Sequence, residues 1–388
     1  MMPNVERVFA KSKAATRTSL SGAAWTHDGR YSVALAWLMG VLLVFMVVPE
    51  GLDYTARAVI VSTGSTLSRL IWISLLAVSF VVVIGRLRFV RIAVGAVNPF
   101  LLLFIVIVAA SAAWSIEPAV TVRRLVRMFT IVLCCFAFTL MAWHPRRFQN
   151  VLRSVLTGML VASLVFCVVR PDLAIEQSTQ PELIGAWHGI ATQKNGFGAL
   201  SSMGMIVWLH ARLTRQVSLI AVLFGLGVSA ACLTLSRSST AMVTAAFVAV
   251  LLFLLLGMPT RMRRFLPYMT VTFVVLILTY SLAVLQLIPG LAIVLEPITM
   301  MTGKDLSFTG RTHIWAIMSE HIRQHPMLGI GYGAFWIGPL PTSPSFEFIT
   351  RLNFYPTEAH NGYLEVLNEL GAVGGVCLAG FIGARRRK

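Results

Sequence analysis

Long apolar runs separated by short polar turns dominate this chain. A helix that crosses the hydrocarbon core of a bilayer needs about 20 mostly apolar residues. Runs of that kind lie at residues 33–49, 70–85, 92–114, 125–143, 154–169, 196–210, 217–235, 240–258, 265–287 and 367–384. The pattern predicts an all-α, polytopic integral membrane protein of about ten transmembrane helices. Its organisation is a basic segment over 1–32, a bundle of about nine helices over 33–287, a long connection over 288–366, and a last helix with a basic tail over 367–388. The connection far exceeds ordinary loop lengths and is expected to be a functional subdomain. Within it, residues 311–325 carry Ile314, Ile317, Met318 and Ile322 at helical spacing. That spacing predicts an amphipathic helix lying at the membrane surface, ended by Pro326 and Gly329.

Composition agrees. Hydrophobic residues make up 57% of the 388 and charged residues 12%, half the roughly 25% of soluble domains. Mean hydropathy is +0.80. A water-soluble enzyme and a disordered chain are both excluded. The five cysteines all sit in apolar stretches without ligand-like spacing, so buried packing is expected, with neither disulfide nor metal.

The net charge of +17 changes the picture only through its distribution. With the N-terminus inside, alternate segments, from 1–32 to the tail, hold 20 of the 32 cations and only Glu6 and Asp28 as anions. The inside then carries +18 and everything else −1. The basic excess is explained by the positive-inside rule, with both termini cytoplasmic, and nucleic acid is not needed as a partner. The long basic N-terminus has no small-residue cleavage site after the first apolar run, so 33–49 reads as a retained span.

Four polar features stand against the apolar background. Lys194 and Asn195 enter the sixth run, where a helix N-terminus favours anions; the bland alternative is a polar helix entry with Lys194 reaching for headgroups. Arg237 lies in a five-residue turn between two apolar runs, either a functional charge or a snorkelling anchor. Ser238, Ser239 and Thr240 offer caps to the next helix. Arg311 starts the amphipathic helix, suited to phosphate by its planar fork or simply solvated. His360 lies where the long connection returns to the last run, either a base for a sugar hydroxyl or a hydrogen-bonded wedge. There is no Asp-x-Asp, no metal-spaced Cys/His cluster, no P-loop and no Gly-x-Ser-x-Gly, so magnesium-dependent use of nucleotide sugars is not expected.

Taken together, these stretches resemble the O-antigen ligase and polysaccharide polymerase superfamily of bacteria. Its signature of His, then Asn/Ser/Gln, nine residues, Gly, two residues and Gly/Thr/Tyr is met by His360-Asn361, Gly371 and Gly374. Gly310-Arg311 to Trp315, and His325-Pro326-Met327-Leu328-Gly329-Ile330-Gly331-Tyr332-Gly333, are also similar to it, so the resemblance spans about 187–376. It implies a multi-pass inner-membrane glycosyltransferase with its site, and the 288–366 loop, on the periplasmic side. Such an enzyme moves a glycan from an undecaprenyl-diphosphate carrier to an acceptor without metal, nucleotide or other cofactor. Arg237, Arg311 and His360 match the family's essential residues and are the catalytic candidates. Lys194, Asn195, Asn361 and Tyr332, which lie in these motifs, are the substrate-binding candidates. The Lys194-Asn195 entry resembles exopolysaccharide repeat polymerases, which favours a polymerase over a ligase acting on lipid A-core. Such a polymerase implies the bilayer, a chain-length regulator and export proteins as partners. Many members carry further spans after the histidine motif whereas this chain ends at Lys388, which implies a short member or a truncated product. Two other classes compete: a transporter of lipid-linked sugar, which should show ionisable residues at mid-membrane and broken, repeated helices, and a non-enzymatic partner in glycan export.

Overall fold

The computed structural model describes residues 29–49, 52–54, 65–95, 97–141, 145–177, 184–259, 261–265, 267–269, 271–272, 275, 309–353 and 355–384. Among them all regular structure is helical, apart from an isolated bridge between Ile175 and Trp187. In chain order the helices are α1 (Gly29–Val47), α2 (Thr66–Ile84), α3 (Leu87–Gly95), α4 (Pro99–Ala110), α5 (Pro118–Met141), α6 (Pro145–Val169), α7 (Pro171–Ala174), α8 (Lys194–Leu213), α9 (Leu219–Leu235), α10 (Ser239–Gly257), α11 (Thr309–Gln324), α12 (Glu347–Leu352) and α13 (Gly362–Gly383). Helices fall on every predicted run except 265–287, which lies outside the described residues but for a few positions at its start. The basic N-terminus over 1–28, residues 288–308 of the long connection and the tail over 385–388 lie outside them too.

Local chemistry decides where helices begin. Ser65 caps α2 by accepting the Ser68 N–H at 3.0 Å, and Asn98 caps α4 by accepting the Phe100 N–H at 2.8 Å. The run over 92–114 was expected to be one span but is two helices and a 3₁₀ turn over Ser111–Ala113. Pro99 is the reason. It has no N–H to donate backwards, and its ring keeps Asn98 extended at φ −61°, ψ 129°.

Four described helical stretches are long and apolar enough to cross a membrane: α2, α6 from Arg146, α10 and α13. The sides of these and the neighbouring apolar helices α8 and α9 invert the soluble pattern. Ile220, Val168 and Val243 stand 81%, 76% and 70% exposed, while Ser79, Ser163 and Ser201 are sealed inside. Lipid does not penalise exposed apolar side chains, so helix association there relies on close packing and small polar residues. Two of these hydroxyls bond back along their own helices, Ser163 to Met159 O at 2.8 Å and Ser201 to Phe197 O at 2.8 Å, while Ser79 pairs across to Cys134 Sγ at 3.0 Å. Four cysteines are buried, but Cys135 is exposed, contrary to expectation, because it faces away from the α1–α2–α5 core that Cys134 enters.

Two bundles form. Leu35, Leu42, Trp72, Leu75, Cys134 and Phe138 join α1, α2 and α5, and Leu156, Leu160, Phe197, Leu200 and Cys232 join α6, α8 and α9. Residues 309–361 build a third unit. The helix expected at the membrane surface is present as α11, but its apolar face is covered by its own chain. Ile314, Ile317 and Met318 are buried against Phe335, Trp336, Phe348 and Ala359. Phe335 meets Trp336 and Phe348 edge-on at 4.7 and 6.0 Å, and Arg351 on α12 pairs with Glu320 at 3.0 Å. Folding this face inside removes apolar area from water without needing lipid.

The third unit is stitched into α13 at a break. Gly371 has φ 62° and ψ −161°, which interrupts the helix and frees its backbone groups. The segment 326–331 takes them up. Ile330 and Gly331 donate N–H to Asn368 O and Glu369 O at 3.1 and 2.9 Å, while Ala372 and Val373 donate to Pro326 O and Met327 O at 2.8 and 3.2 Å. Non-helical backbone within a spanning segment is tolerated only when protein satisfies it. A Cβ on Gly371 would sit 2.3 Å from the Met327 carbonyl carbon, and one on Gly329 2.4 Å from that of Glu369. Glu365 and Glu369 lie on α13, where the Ala359 N–H and Trp336 Nε1–H bond Glu365 and the Gly333 backbone bonds Glu369.

Gly371→Ala is expected to cost about 3 kcal/mol, since φ/ψ here belongs to a region open essentially to glycine alone and the crossing must also open. A lower midpoint in a detergent thermostability assay checks this; an unchanged midpoint would contradict the crossing.

Candidate active site

The segment leading to His360 is held from both sides. Ala359 is fully buried; its N–H donates to Glu365 Oε1 at 2.6 Å, and Trp315 Nε1–H donates to its carbonyl at 2.9 Å. Glu365 also accepts the Trp336 Nε1–H at 2.9 and 3.0 Å. With the peptide before it fixed, His360 takes a left-handed backbone at φ 53°. That conformation is uncommon for a non-glycine residue, costs free energy, and is found at functional sites more than elsewhere. The imidazole is one-third exposed, and its Nδ1 lies 3.1 Å from Glu358 Oε1. Hydrogen bonding from His360 holds the Glu358 carboxyl below its usual range; partial burial opposes this, and the charges of His360 and Arg311 add to it. Arg311, half-buried in the first turn of α11, therefore shares the field of this carboxylate.

Asn361 has a structural task. Its Oδ1 accepts the N–H groups of Tyr363 and Leu364 at 3.1 and 3.4 Å, capping α13. Tyr332 donates its backbone N–H to Ser111 Oγ at 3.0 Å, and its ring packs on the core of Val108, Leu125 and Leu370. Burial, with the nearby Glu369 carboxylate, raises its phenol pKa. Both residues hold the frame of the site.

Arg237 organises a second group. It too is left-handed, at φ 49°, and its Nη1–H donates to Ile184 O at 2.8 Å. Trp187 N–H donates to Leu235 O at 3.0 Å, tying the 184–195 stretch to the end of α9. Ser238 occupies the N-cap position of α10 without capping it; its hydroxyl donates to Asn195 Oδ1 at 3.1 Å instead. Gly198 lies close against Ser236, Ser238 and Ala241. The start of α8, with half-buried Lys194 and exposed Asn195, is thereby joined to the start of α10 and to Arg237. Two helix N-termini and two cations meet here, an arrangement that favours an anion. The structure thus assembles the candidates in two groups, Lys194, Asn195 and Arg237 on α8–α10, and Arg311 and His360 on α11 and the start of α13.

Sequence reasoning did not single out Glu358, Glu365, Trp315 or Arg124. Glu358 had one signal, its place two residues before the histidine. Arg124 on α5 donates Nη2–H to Trp336 O at 2.6 Å across 212 positions, which no local pattern reveals. Among the described residues no group of three or more His, Cys, Asp or Glu side chains is arranged to hold a metal.

Comparison with known proteins adds two similarities. Residues 222–379 match the family model described as O-antigen ligase. Over 292 residues the chain is 25% identical to the exopolysaccharide production protein ExoQ of Rhizobium meliloti (strain 1021), a match covering 71% of this chain and 61% of that relative's length. No solved structure matches.

Proposed function

Residues 222–379 carry the sequence of the O-antigen ligase and Wzy-type superfamily, and from that premise we propose a metal-independent membrane glycosyltransferase that polymerises undecaprenyl-diphosphate-linked repeat units into exopolysaccharide. It acts at the periplasmic face of the inner membrane, with both termini cytoplasmic, the orientation favoured by the distribution of lysine and arginine. One observation carries the chemistry: His360, strained and partly exposed, sits on a clamped peptide beside Glu358 and within the field of Arg311.

The imidazole takes the proton of an acceptor hydroxyl as its oxygen attacks the anomeric carbon. The bond from that carbon to the carrier diphosphate breaks, with inversion, and the proton passes on to water. Charge grows on the departing diphosphate, and Arg311 and Arg237 stabilise it by charge-assisted hydrogen bonds. The Lys194–Asn195–Arg237 group is a second place for phosphate oxygens. A similarity to an exopolysaccharide production protein supports the polymerase reading. The family description itself supports the second reading, transfer of a finished glycan to lipid A-core.

The full chain in nanodiscs, given undecaprenyl-diphosphate repeat unit with and without lipid A-core, distinguishes the two. A ladder from donor alone is expected. A single product appearing only with lipid A-core would replace polymerisation by ligation, and an untouched donor in both arms would end the enzyme reading.

A further inference from the structure

The carboxylate two residues before His360 has chemistry of its own. An ionised carboxylate accepts hydrogen bonds and cannot donate them. Since Glu358 Oε1 lies 3.1 Å from His360 Nδ1, that nitrogen must carry the hydrogen. In the neutral ring the lone pair is then on Nε2, at the edge directed away from Glu358. The backbone reinforces this choice. Trp315 and Glu365 grip the Ala359 peptide, and Asn361 is occupied in capping α13, so the imidazole has a fixed root and an acidic partner at 3.1 Å.

We propose that Glu358 is the positioning residue of this site: it holds His360 in the Nδ1–H tautomer and presents Nε2 to the acceptor hydroxyl. This rests on reading His360 as the base. When Nε2 takes the proton, the ring becomes an imidazolium, and the adjacent carboxylate stabilises that charge without itself becoming protonated. Glu358 does not touch the sugar.

The test has two independent readouts. In full-length protein labelled with [15N]histidine, the His360 signals are identified among eight histidines by their loss in His360→Gln. At alkaline pH, where free imidazole is neutral, the wild type is expected to show Nδ1–H, and Glu358→Ala to show a mixture enriched in Nε2–H. In the transfer assay Glu358→Ala is expected to lower kcat by roughly 10- to 100-fold with KM within about twofold, and Glu358→Asp to recover most of the loss. Glu358 is half exposed, so the fold should tolerate these changes; if the alanine variant does not fold, the isosteric Glu358→Gln is expected to lower kcat alone. A tautomer unchanged in Glu358→Ala, or a variant with wild-type kcat, overturns the positioning role. Wild-type protein that transfers no glycan yet shows the Glu358-dependent tautomer overturns the glycosyltransferase reading instead, and the catalytic part of this proposal with it.

Discussion

His360→Ala is expected to lower glycan transfer by about a thousandfold while leaving the protein folded and able to bind donor. General-base assistance is worth roughly 10²–10⁴ in rate, and alanine removes both the base and the group that Glu358 orients. Folding should change little, because the side chain is one-third exposed and its ring nitrogen meets a half-exposed carboxylate. Replacing a left-handed histidine by alanine keeps a Cβ at φ 53°, so backbone strain is not relieved either. The measurement is single-turnover elongation of lipid-linked repeat units, beside size-exclusion of the variant in detergent. Donor affinity within about threefold of wild type, with the rate collapsed, assigns His360 to the chemical step. Retention of more than about a tenth of the rate would remove it from the base role.

The second large effect is expected at the arginines. Arg311→Lys and Arg237→Lys should each lower kcat by about 100-fold, and the alanine variants by several-fold more, with a smaller effect on KM. A lysine keeps the charge but not the planar fork that meets two phosphate oxygens at once. The lost interaction is one that strengthens as the diphosphate departs, so it belongs to the transition state more than to the ground state. Arg237 already has one N–H committed to Ile184 O, which fixes the plane of its guanidinium; a lysine there has no second donor plane to offer. Should Arg237→Lys raise KM alone, with kcat intact, the α8–α10 group would be a docking site for carrier phosphate and not part of the chemistry. Should neither variant differ from wild type, arginine stabilisation of the leaving group would be wrong.

Much of the architecture was legible before any coordinates. A side chain's preference for lipid, and the few residue types able to cap or break a helix, act over a handful of neighbours. Those neighbours are contiguous in the chain. The apolar runs therefore became α1, α2, α8–α10 and α13 within about five residues of their expected limits, while α5 and α6 begin earlier, at Pro118 and Pro145. Ile314, Ile317 and Met318 predicted a helix in the right place, whereas the breaks at Pro99 and Gly371 fell inside runs read as single spans. The polar residues that stood out, Arg237, Arg311 and His360, did so because charge among apolar residues is costly and needs a reason.

What the runs left open was what each face would meet. The apolar face of α11 has the same periodicity whether it lies on lipid or under Phe335 and Phe348, and only the folded chain chose the second. Asn361 entered only as a substrate-binding candidate, and its role as the cap of α13 emerges from the Tyr363 and Leu364 N–H groups that donate to it. The pairing of 326–331 with the broken α13, and of Arg124 with Trp336, joins segments separated by tens to hundreds of residues. Such contacts depend on how helices pack and not on the order of residues along any one of them. Sequence alone thus determined where helices form and which charges call for explanation. The tertiary structure decided which groups meet, because hydrogen bonds and buried charges act over a few ångströms through space, whatever the distance along the chain.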